Sequence, residues 1–446
     1  MIRLTANQWK VVGFCAAGGM LETMDIYIIA FVLADITGPW KLSYGKSAII
    51  LFASGIGAVV GSFFWGYVAD RIGRRKAYAG TIVVCSAASL ALTFTPTGDW
   101  IFLAAMRTVI GFGAAGFFIF VLLVQEFAPA ASRGFASSVV STAAAGGLLL
   151  GSLCGSFLMP LLGWRGMFAV GALPVLLGVA VIRYLPESPR WALAHGQPEL
   201  GRRALRWALG PAADIGPIVD AYVVKEVRPG WRELLAHRRS VVVGTLVNFG
   251  VVTGYYGITL WAPTLLALML TISGAAAARI MVAFSLTGLL SRLAMGALAD
   301  RFGRRRCGAV AACGAALFLV LAGLTGRGDV LEPGLFWLPF GLAFVLADSG
   351  FAIMGMYTSE IFPSRLRGRG SGLSYAAGSV GKIVGPLGLA LLIGSSNMIR
   401  PEATVGSLVT AFGYLAIMFL LAGFTYLLIA RETRGQTLEE LERRLA

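Results

Sequence analysis

The sequence has few charged residues and almost no histidine. Only 13% of its 446 residues are Asp, Glu, Lys or Arg, whereas 57% are hydrophobic, and the mean hydropathy is +0.78. A soluble domain cannot bury that much apolar surface, so the composition excludes a soluble globular protein. The two histidines, His195 and His237, both lie in one polar segment. No imidazole is therefore available for chemistry in the apolar parts of the chain.

Cysteine is also scarce, and its pattern excludes two classes of site. The five cysteines include no Cys-x-x-Cys pair and have no histidine nearby, so neither a disulfide framework nor a metal site is expected. No Gly-Lys-Ser/Thr phosphate loop and no nucleophile–base pair is present. The sequence therefore predicts a protein that is not an enzyme and that needs no cofactor.

Long apolar runs make up most of the chain. Each is long enough to cross about 30 Å of hydrocarbon as a helix. The runs predict an all-α polytopic membrane protein with twelve transmembrane helices. The predicted spans are residues 11–34, 46–69, 77–95, 100–123, 134–158, 164–184, 240–264, 278–300, 307–326, 334–356, 370–393 and 405–429.

The chain is internally duplicated. An Ala-Asp-Arg-x-Gly-Arg-Arg block in residues 66–76 recurs in residues 296–306. Two further segments recur in the same order, 125–134 as 359–368 and the Gly-rich 143–155 as 376–388. The repeats predict two pseudo-symmetric six-helix bundles, and the glycines have the spacing of close helix contacts. The predicted domains are 1–184, a cytoplasmic linker with interfacial helices at 185–239, 240–430, and a tail at 431–446.

The distribution of positive charge predicts the orientation. Most of the 37 Lys and Arg residues fall on the side of the spans that holds both termini. Positive residues favour the cytoplasmic side, so both termini should be cytoplasmic in a multi-pass protein of a bacterial inner membrane. The net charge of +15 is then explained by the Lys and Arg residues that set this topology and by attraction to anionic lipids of the bilayer. No nucleic-acid partner is expected.

Six charged side chains fall inside the predicted spans, where charge is costly and marks an ion or substrate path. They are Glu22, Asp25, Arg107, Arg292, Asp348 and Lys382. Glu22 and Asp25 are three residues apart and share one helix face, so two carboxylates this close should not ionise together easily. Asp25 is the first candidate for a proton carrier, followed by Glu22 and Asp348. The alternative is that Asp25 or Glu22 is a static partner of Arg107 or Lys382.

The charge balance also predicts a substrate type. The three acids and three bases cancel, so protonating one carboxylate leaves one positive charge that attracts an anion. We predict that Lys382 contacts the anion first and Arg107 second. Aromatic and amide side chains that could wall the cavity are Tyr255, Tyr256, Trp261, Phe118, Phe351 and Asn248. The alternative for each aromatic residue is ordinary packing. The charge balance also allows cation antiport, in which a deprotonated carboxylate receives a cation.

Charged loop residues recur in both halves and predict gates that open and close with the rocking of the halves. The acids are Asp70, Glu126, Asp300 and Glu360, and the bases are Arg71, Arg74, Arg75, Arg133, Arg292, Arg301, Arg304, Arg305 and Arg365. We expect Glu126 and Glu360 to pair with Arg71, Arg74, Arg75, Arg301, Arg304 and Arg305. We expect Asp70 and Asp300 to cap neighbouring helices. The alternative is that the bases only anchor the loops on the positive-inside side.

These motifs together resemble the major facilitator superfamily. They comprise the duplicated loop block, Arg107 with Gly111 and Gly113, the Pro-Glu-Ser-Pro-Arg motif at 186–190 and the Glu-Thr-Arg-Gly tail at 432–435. The last two are similar to those of sugar porters, although the seventh span lacks the paired glutamines that bind hexose.

Residues 255–263, the Glu22/Asp25 pair and residues 381–386 resemble the bacterial metabolite and aromatic-acid proton symporters and the organic ion transporters. The resemblance implies a monomeric secondary active transporter that works by alternating access on the proton gradient. We expect symport of protons with a small organic anion, such as an aromatic or other carboxylate. The alternatives are a cation or drug antiporter or exporter, a sugar symporter, and a membrane sensor that does not transport.

The charge asymmetry gives a direct test of topology. A reporter enzyme fused after Ala446 or inserted near Gly196 should behave as cytoplasmic, because both sites lie on the side richer in Lys and Arg. Paired fusions of alkaline phosphatase and a fluorescent protein report the two sides. Phosphatase activity at either site would contradict the predicted orientation.

Overall fold

The structure is a computed structural model that describes residues 4–129, 132–211, 213–216, 219, 231–363 and 366–434. These residues are almost entirely helical, and the described part contains no strand beyond a single bridge between Ser43 and Met398. The α-helices are α1 Ala6–Ile36, α2 Tyr44–Ile72, α3 Arg74–Leu92, α4 Trp100–Ala114, α5 Phe117–Phe127, α6 Arg133–Leu153, α7 Met159–Ala172, α8 Val175–Tyr184, α9 Pro189–Ala194, α10 Pro198–Leu209, α11 Trp231–Ala236, α12 Arg238–Met269, α13 Gly274–Phe302, α14 Arg304–Arg327, α15 Trp337–Glu360, α16 Arg367–Ile393 and α17 Pro401–Phe424.

The helices match the twelve predicted spans. Ten segments of the described chain are long and apolar enough to cross a membrane. One of them, Phe135–Tyr184, is 50 residues long and covers two predicted spans, with a break at Gly163, whose φ is 65°. The remaining span is α3, whose mean hydropathy is lowered by the basic residues of its first turn. The prediction of an all-α, twelve-helix fold is confirmed.

The chain divides into two compact units. Unit 1 comprises Met1–Ile28, Ile56–Cys154 and Leu158–Val227, and unit 2 comprises Ile29–Gly55, Gly155–Phe157 and Arg228–Ala446. Helix α1 therefore passes from unit 1 to unit 2 after Ile28, and α2 returns to unit 1 after Gly55. The predicted domains at 1–184, 185–239, 240–430 and 431–446 stay a prediction, and residues 435–446 of the tail lie outside the described chain.

Unit 2 holds the end of α1 and the start of α2 through specific contacts. The hydroxyls of Tyr44 and Thr404 share a hydrogen bond, and the rings of Tyr44 and Trp261 lie 5.3 Å apart. The main-chain N–H of Gly45 also donates to the carbonyl of Ser395, at 2.9 Å. These contacts fasten the α1–α2 connection to the helices of unit 2.

Glycines bring helices into close contact at corresponding places in the two repeats. In unit 1, a side chain at Gly147 of α6 would overlap the main chain of Met20 in α1. In unit 2, a side chain at Gly385 of α16 would overlap the carbonyl oxygen of Thr253 in α12. Glycine is needed at both positions because no Cβ fits between the helices. The close contacts expected of the Gly-rich stretches are therefore present.

Gly385 gives a test of this packing. Gly385→Ala should lower the midpoint of thermal unfolding, because inserting carbon into a packed contact costs about 1–3 kcal/mol. The matched control is Gly413→Ala in α17, where nothing lies within 4 Å of the added carbon; it should be neutral or stabilising, since Ala favours a helix over Gly by up to about 1 kcal/mol. Equal midpoints for the two variants in detergent would contradict the contact.

Candidate functional site

In unit 1, Asp25 is a buried acid held by a hydroxyl. It lies on α1 with 2% of its surface exposed. Both carboxylate oxygens accept from the hydroxyl of Ser89 on α3, each at 2.9 Å. A buried carboxylate needs such a donor because it has lost its hydration. Asp25 is therefore polar and ordered, yet a single neutral hydroxyl supplies its side-chain hydrogen bonds within the described chain.

Arg107 approaches the same turn of α1 but binds its main chain. The guanidinium donates to the carbonyl oxygens of Asp25 and Ile26, at 2.9 Å and 2.8 Å. Arg107 is fully buried, and its Nε has no hydrogen-bond partner among the described residues. The alternative of a static pair between the Asp25 carboxylate and Arg107 is therefore absent from this structure, although the positive charge lies beside the acid.

A small cavity joins the two acids of α1. Glu22, Asp25, Thr81 and Cys85 line it, and its volume is about 20 Å³. This is enough for one water molecule, and polar groups are available to bind it. Glu22 and Asp25 thus share one face, as their spacing predicts, and one water could contact both carboxylates.

In unit 2, Arg292 and Asp348 form a buried ion pair. Arg292 of α13 donates to both carboxylate oxygens of Asp348 in α15, from Nε at 2.7 Å and from Nη2 at 2.6 Å. Gly288 leaves room for this carboxylate, since a Cβ there would lie 2.9 Å from Oδ2. Two parallel hydrogen bonds of this kind form a strong charge pair. A gating role for Arg292 stays a prediction, and in this structure the residue pairs with an acid within the spans.

A series of aromatic rings connects this pair to Lys382. The Arg292 guanidinium lies 5.3 Å from the ring of Phe351, and that ring lies 5.0 Å from the ring of Tyr255. Tyr255 and Tyr256 contact edge to face at 5.8 Å. Lys382 Nζ then lies 5.2 Å from the ring of Tyr256, within the range of a cation–π interaction. The predicted residues Lys382, Tyr255, Tyr256 and Phe351 are thus brought together.

Asn248 and Trp261 lie deeper in the packing of unit 2. The Asn248 amide donates to the carbonyl of Gly244 and to the hydroxyl of Thr358. The Trp261 indole donates to the carbonyl of Pro386 at 3.2 Å. Both side chains are fully buried, so each contacts protein on all sides in this conformation. Their substrate contacts stay predictions, and the side chain of Phe118 is outside the described part.

The loop cluster of unit 1 is centred on Arg74. Its guanidinium lies 2.7 Å from Asp70 Oδ1 and 3.6 Å from Glu126 Oε1. Ser188, in the Pro-Glu-Ser-Pro-Arg motif, donates its hydroxyl to Glu126 Oε2. Asp70 is exposed, whereas Glu126 is buried. The cluster therefore connects the α2–α3 loop, the end of α5 and the start of α9.

The same cluster recurs in unit 2. Arg304 lies 2.9 Å from Asp300 Oδ1 and 3.3 Å from Glu360 Oε2. Thr433, in the tail motif, donates its hydroxyl to Glu360 Oε2. The linker motif after α8 and the tail motif after α17 thus occupy the same place in their units. The predicted pairings of Arg74 with Glu126 and of Arg304 with Glu360 are both present.

The caps of α3 and α14 differ from the prediction. Glu187, not Asp70, accepts from the main-chain N–H of Arg75 at 2.9 Å. Glu432, not Asp300, accepts from the N–H of Arg304 at 2.8 Å. An acid there neutralises the positive end of the helix. Sequence reasoning missed both glutamates, although each precedes Ser or Thr in a recurring Glu-Ser/Thr motif.

Among the described loop arginines, Arg71, Arg75, Arg301 and Arg305 make no ion pair with Glu126 or Glu360, which differs from the prediction. Arg71 lies over the ring of Tyr67, and Arg301 lies over the ring of Phe302. Arg75 donates to the carbonyl of Leu185 at the end of α8. Arg305 donates to the carbonyl of Tyr426 in the short π-helix Thr425–Ile429 that follows α17. Each of these four side chains therefore contacts an aromatic ring or a main-chain carbonyl instead of a glutamate. Arg365 lies outside the described residues, as does the side chain of Arg133.

The unit 1 cluster gives a test of gating. Glu126→Gln should slow transport about tenfold while leaving ligand binding measurable, because it removes the buried charge that Arg74 and Ser188 share, and charged hydrogen bonds contribute about 1.5–3 kcal/mol. Asp70→Asn, at the exposed end of the cluster, should impair transport less, since surface ion pairs contribute up to about 1 kcal/mol. Uptake rates and binding affinities separate the two effects. Normal uptake by both variants would contradict a gating role.

Comparison with known proteins agrees with this architecture. The chain is 28% identical to the niacin transporter NiaP of Acinetobacter baylyi, over 95% of this chain and 94% of that protein. It is 27% identical to the putative niacin/nicotinamide transporter NiaP of Bacillus subtilis, over 97% and 98% of the two chains. The xylose transporter XylE of E. coli, in a partially occluded inward-open conformation, superposes with a TM-score of 0.75 at 21% identity, over 97% of this chain and 100% of that one.

The family of sugar (and other) transporters matches residues 12–445, which is almost the whole chain. The twelve-helix fold, the duplicated loop clusters and the charged groups within the spans agree with this match. Family and relatives are transporters and not enzymes. The chain belongs to the sugar (and other) transporter family of the major facilitator superfamily.

Proposed function

We propose that this transporter is a proton symporter for a planar aromatic monocarboxylate. The observation that carries the proposal is the difference between the two cations of unit 2. Arg292 is neutralised by Asp348, whereas Lys382 has no ion pair with any described residue and lies over the ring of Tyr256. A half-buried ammonium beside aromatic rings suits an anion that is itself aromatic.

The position of Lys382 defines how such a substrate would bind. Its carboxylate would accept from the ammonium, and its ring would pack against the edge-to-face pair of Tyr255 and Tyr256. The ion pair of Arg292 and Asp348 would stay intact and hold Phe351 behind Tyr255. The site in unit 2 would thus contribute one net positive charge, which discriminates against cations.

Asp25 supplies the proton site in this proposal. Its carboxylate is buried, accepts from the neutral hydroxyl of Ser89, and adjoins a cavity that has room for one water molecule. A proton can therefore reach or leave the acid by way of that water, and its binding needs no ion pair to break. Protonation removes one negative charge within the spans, so the transporter then carries proton and anion together.

The relatives support this substrate class. One of them is named a niacin transporter and another a putative niacin/nicotinamide transporter, and niacin is a pyridine ring with one carboxylate. We therefore propose niacin as the first substrate to test. The proton gradient across a bacterial inner membrane would drive uptake, with both termini of the chain in the cytoplasm.

The proton site is tested by Asp25→Asn. This variant should lose accumulation of niacin driven by a pH gradient in proteoliposomes but retain counterflow, because the neutral amide imitates the protonated acid. Glu22→Gln is the matched control on the same helix face and should retain accumulation. Full gradient-driven accumulation by Asp25→Asn would move the proton site to Glu22 or Asp348.

The anion site is tested by a pair of substitutions at one position. Lys382→Met should weaken niacin binding at least tenfold, because it keeps the length of the side chain and removes its charge, whereas Lys382→Arg should retain part of the affinity. Isothermal titration with niacin, nicotinamide, xylose and an organic cation compares the substrate classes. Tight binding of the cation, or of xylose, without binding of niacin would replace the proposal with antiport or sugar symport.

A further inference from the structure

A second cavity lies at the linker end of unit 1, away from Asp25. It is formed where the first turn of α3 and the start of the linker meet α10, and its volume is about 330 Å³. Arg75, Lys76, Glu187, Trp191 and Arg203 line it, together with apolar residues such as Ile72 and Leu200. A cavity of this size accommodates a small polar ligand or the headgroup of a lipid.

The cavity is positively charged. Arg75, Lys76 and Arg203 contribute three cations and Glu187 one anion. The Arg75 guanidinium donates to the carbonyl of Leu185, but Lys76 and Arg203 make no hydrogen bond or ion pair with the described residues. These two side chains come from different elements, α3 and α10, and therefore approach the cavity from two sides.

Glu187, the one acid that lines this cavity in the described chain, does not pair with Lys76 or Arg203. Glu187 Oε1 accepts from the main-chain N–H groups of Arg75 and Ser188, at 2.9 Å and 3.0 Å. Oε1 is thus directed at the start of α3, where the helix dipole is positive, while Oε2 has no hydrogen-bond partner among the described residues. An anion that enters the cavity meets two cations without partners, and phosphate groups are the anions that such Lys and Arg pairs bind best.

The cavity also adjoins the surface that faces lipid. Ile72 lines the cavity and is 45% exposed, while Ile182 and Tyr184, near the end of α8, are 43% and 62% exposed. Because α2 and α8 end here, the cavity lies at the depth of lipid headgroups. A phospholipid could place its phosphate in the cavity and its chains along Ile72 and Ile182.

We propose that this cavity is a binding site for a phosphate anion, supplied by the headgroup of an acidic phospholipid or by a soluble phosphate ester, with Lys76 and Arg203 as its ligands. The bound phosphate would join α3 to α10. It would also adjoin Trp191, whose indole donates to the carbonyl of Asp70 at 2.7 Å. Occupancy would therefore stabilise the packing of the linker helices on the loop that carries the unit 1 cluster. This inference does not depend on the transported substrate.

The test uses the full-length protein in nanodiscs, with thermal unfolding and native mass spectrometry as readouts. One arm adds phosphatidylglycerol to phosphatidylcholine nanodiscs, and the other adds inorganic phosphate or glycerol 3-phosphate to pure phosphatidylcholine nanodiscs. The parent protein should be stabilised in one arm, which identifies the source of the phosphate. The double variant Lys76→Gln, Arg203→Gln should lose that stabilisation and bind at least tenfold more weakly.

The matched control is the double variant Arg202→Gln, Arg206→Gln. It removes the same charge from the exposed face of α10, outside the cavity, and should respond as the parent does. If the Lys76/Arg203 double variant does not fold, the single variants are measured, and each should lose part of the effect. Equal responses of the cavity and control variants, or no response of the parent to any phosphate, would overturn the proposal.

Discussion

The arrangement of this transporter depends on one constraint, which is that a charge inside hydrocarbon must find a partner. Arg107 finds two carbonyl oxygens of α1, and Arg292 finds both oxygens of Asp348. Asp25 accepts from one hydroxyl, and Lys382 lies over a ring. The proposed coupling rests on this difference, because the two charges with the weakest partners are the ones that a proton and an anion would satisfy.

The two halves of the duplicated chain share one arrangement of ion pairs and hydrogen bonds in their loop clusters. In each unit an arginine lies between two acids, and a hydroxyl from a later segment donates to the less exposed acid. The hydroxyl comes from the linker in unit 1 and from the tail in unit 2. The linker and the tail are thus structural parts of their units. Each also supplies a glutamate that accepts from the start of an earlier helix, α3 in unit 1 and α14 in unit 2.

Much of the fold could be predicted from the sequence because hydrophobic runs and repeats are local signals. The positions of the spans, the repeated loop clusters and the shared face of Glu22 and Asp25 follow from spacing alone. The roles of Glu187 and Glu432 could not be predicted, since each glutamate binds a helix start more than a hundred residues away along the chain. The partners of Arg107 and Arg292 depended in the same way on helix packing, which spacing does not fix.

Helix α1 belongs to both units, and Asp25 lies one turn before the change at Ile28. In an α-helix the carbonyls of Asp25 and Ile26 accept from the N–H groups of residues 29 and 30. Arg107 donates to these same two carbonyls, so each oxygen is shared between the guanidinium and the helix. The turn that carries the proposed proton site is therefore joined to α4 by Arg107 and to α3 by Ser89. In the proposed mechanism, any movement of this turn relative to Ser89 and Arg107 would also change how readily the acid binds a proton.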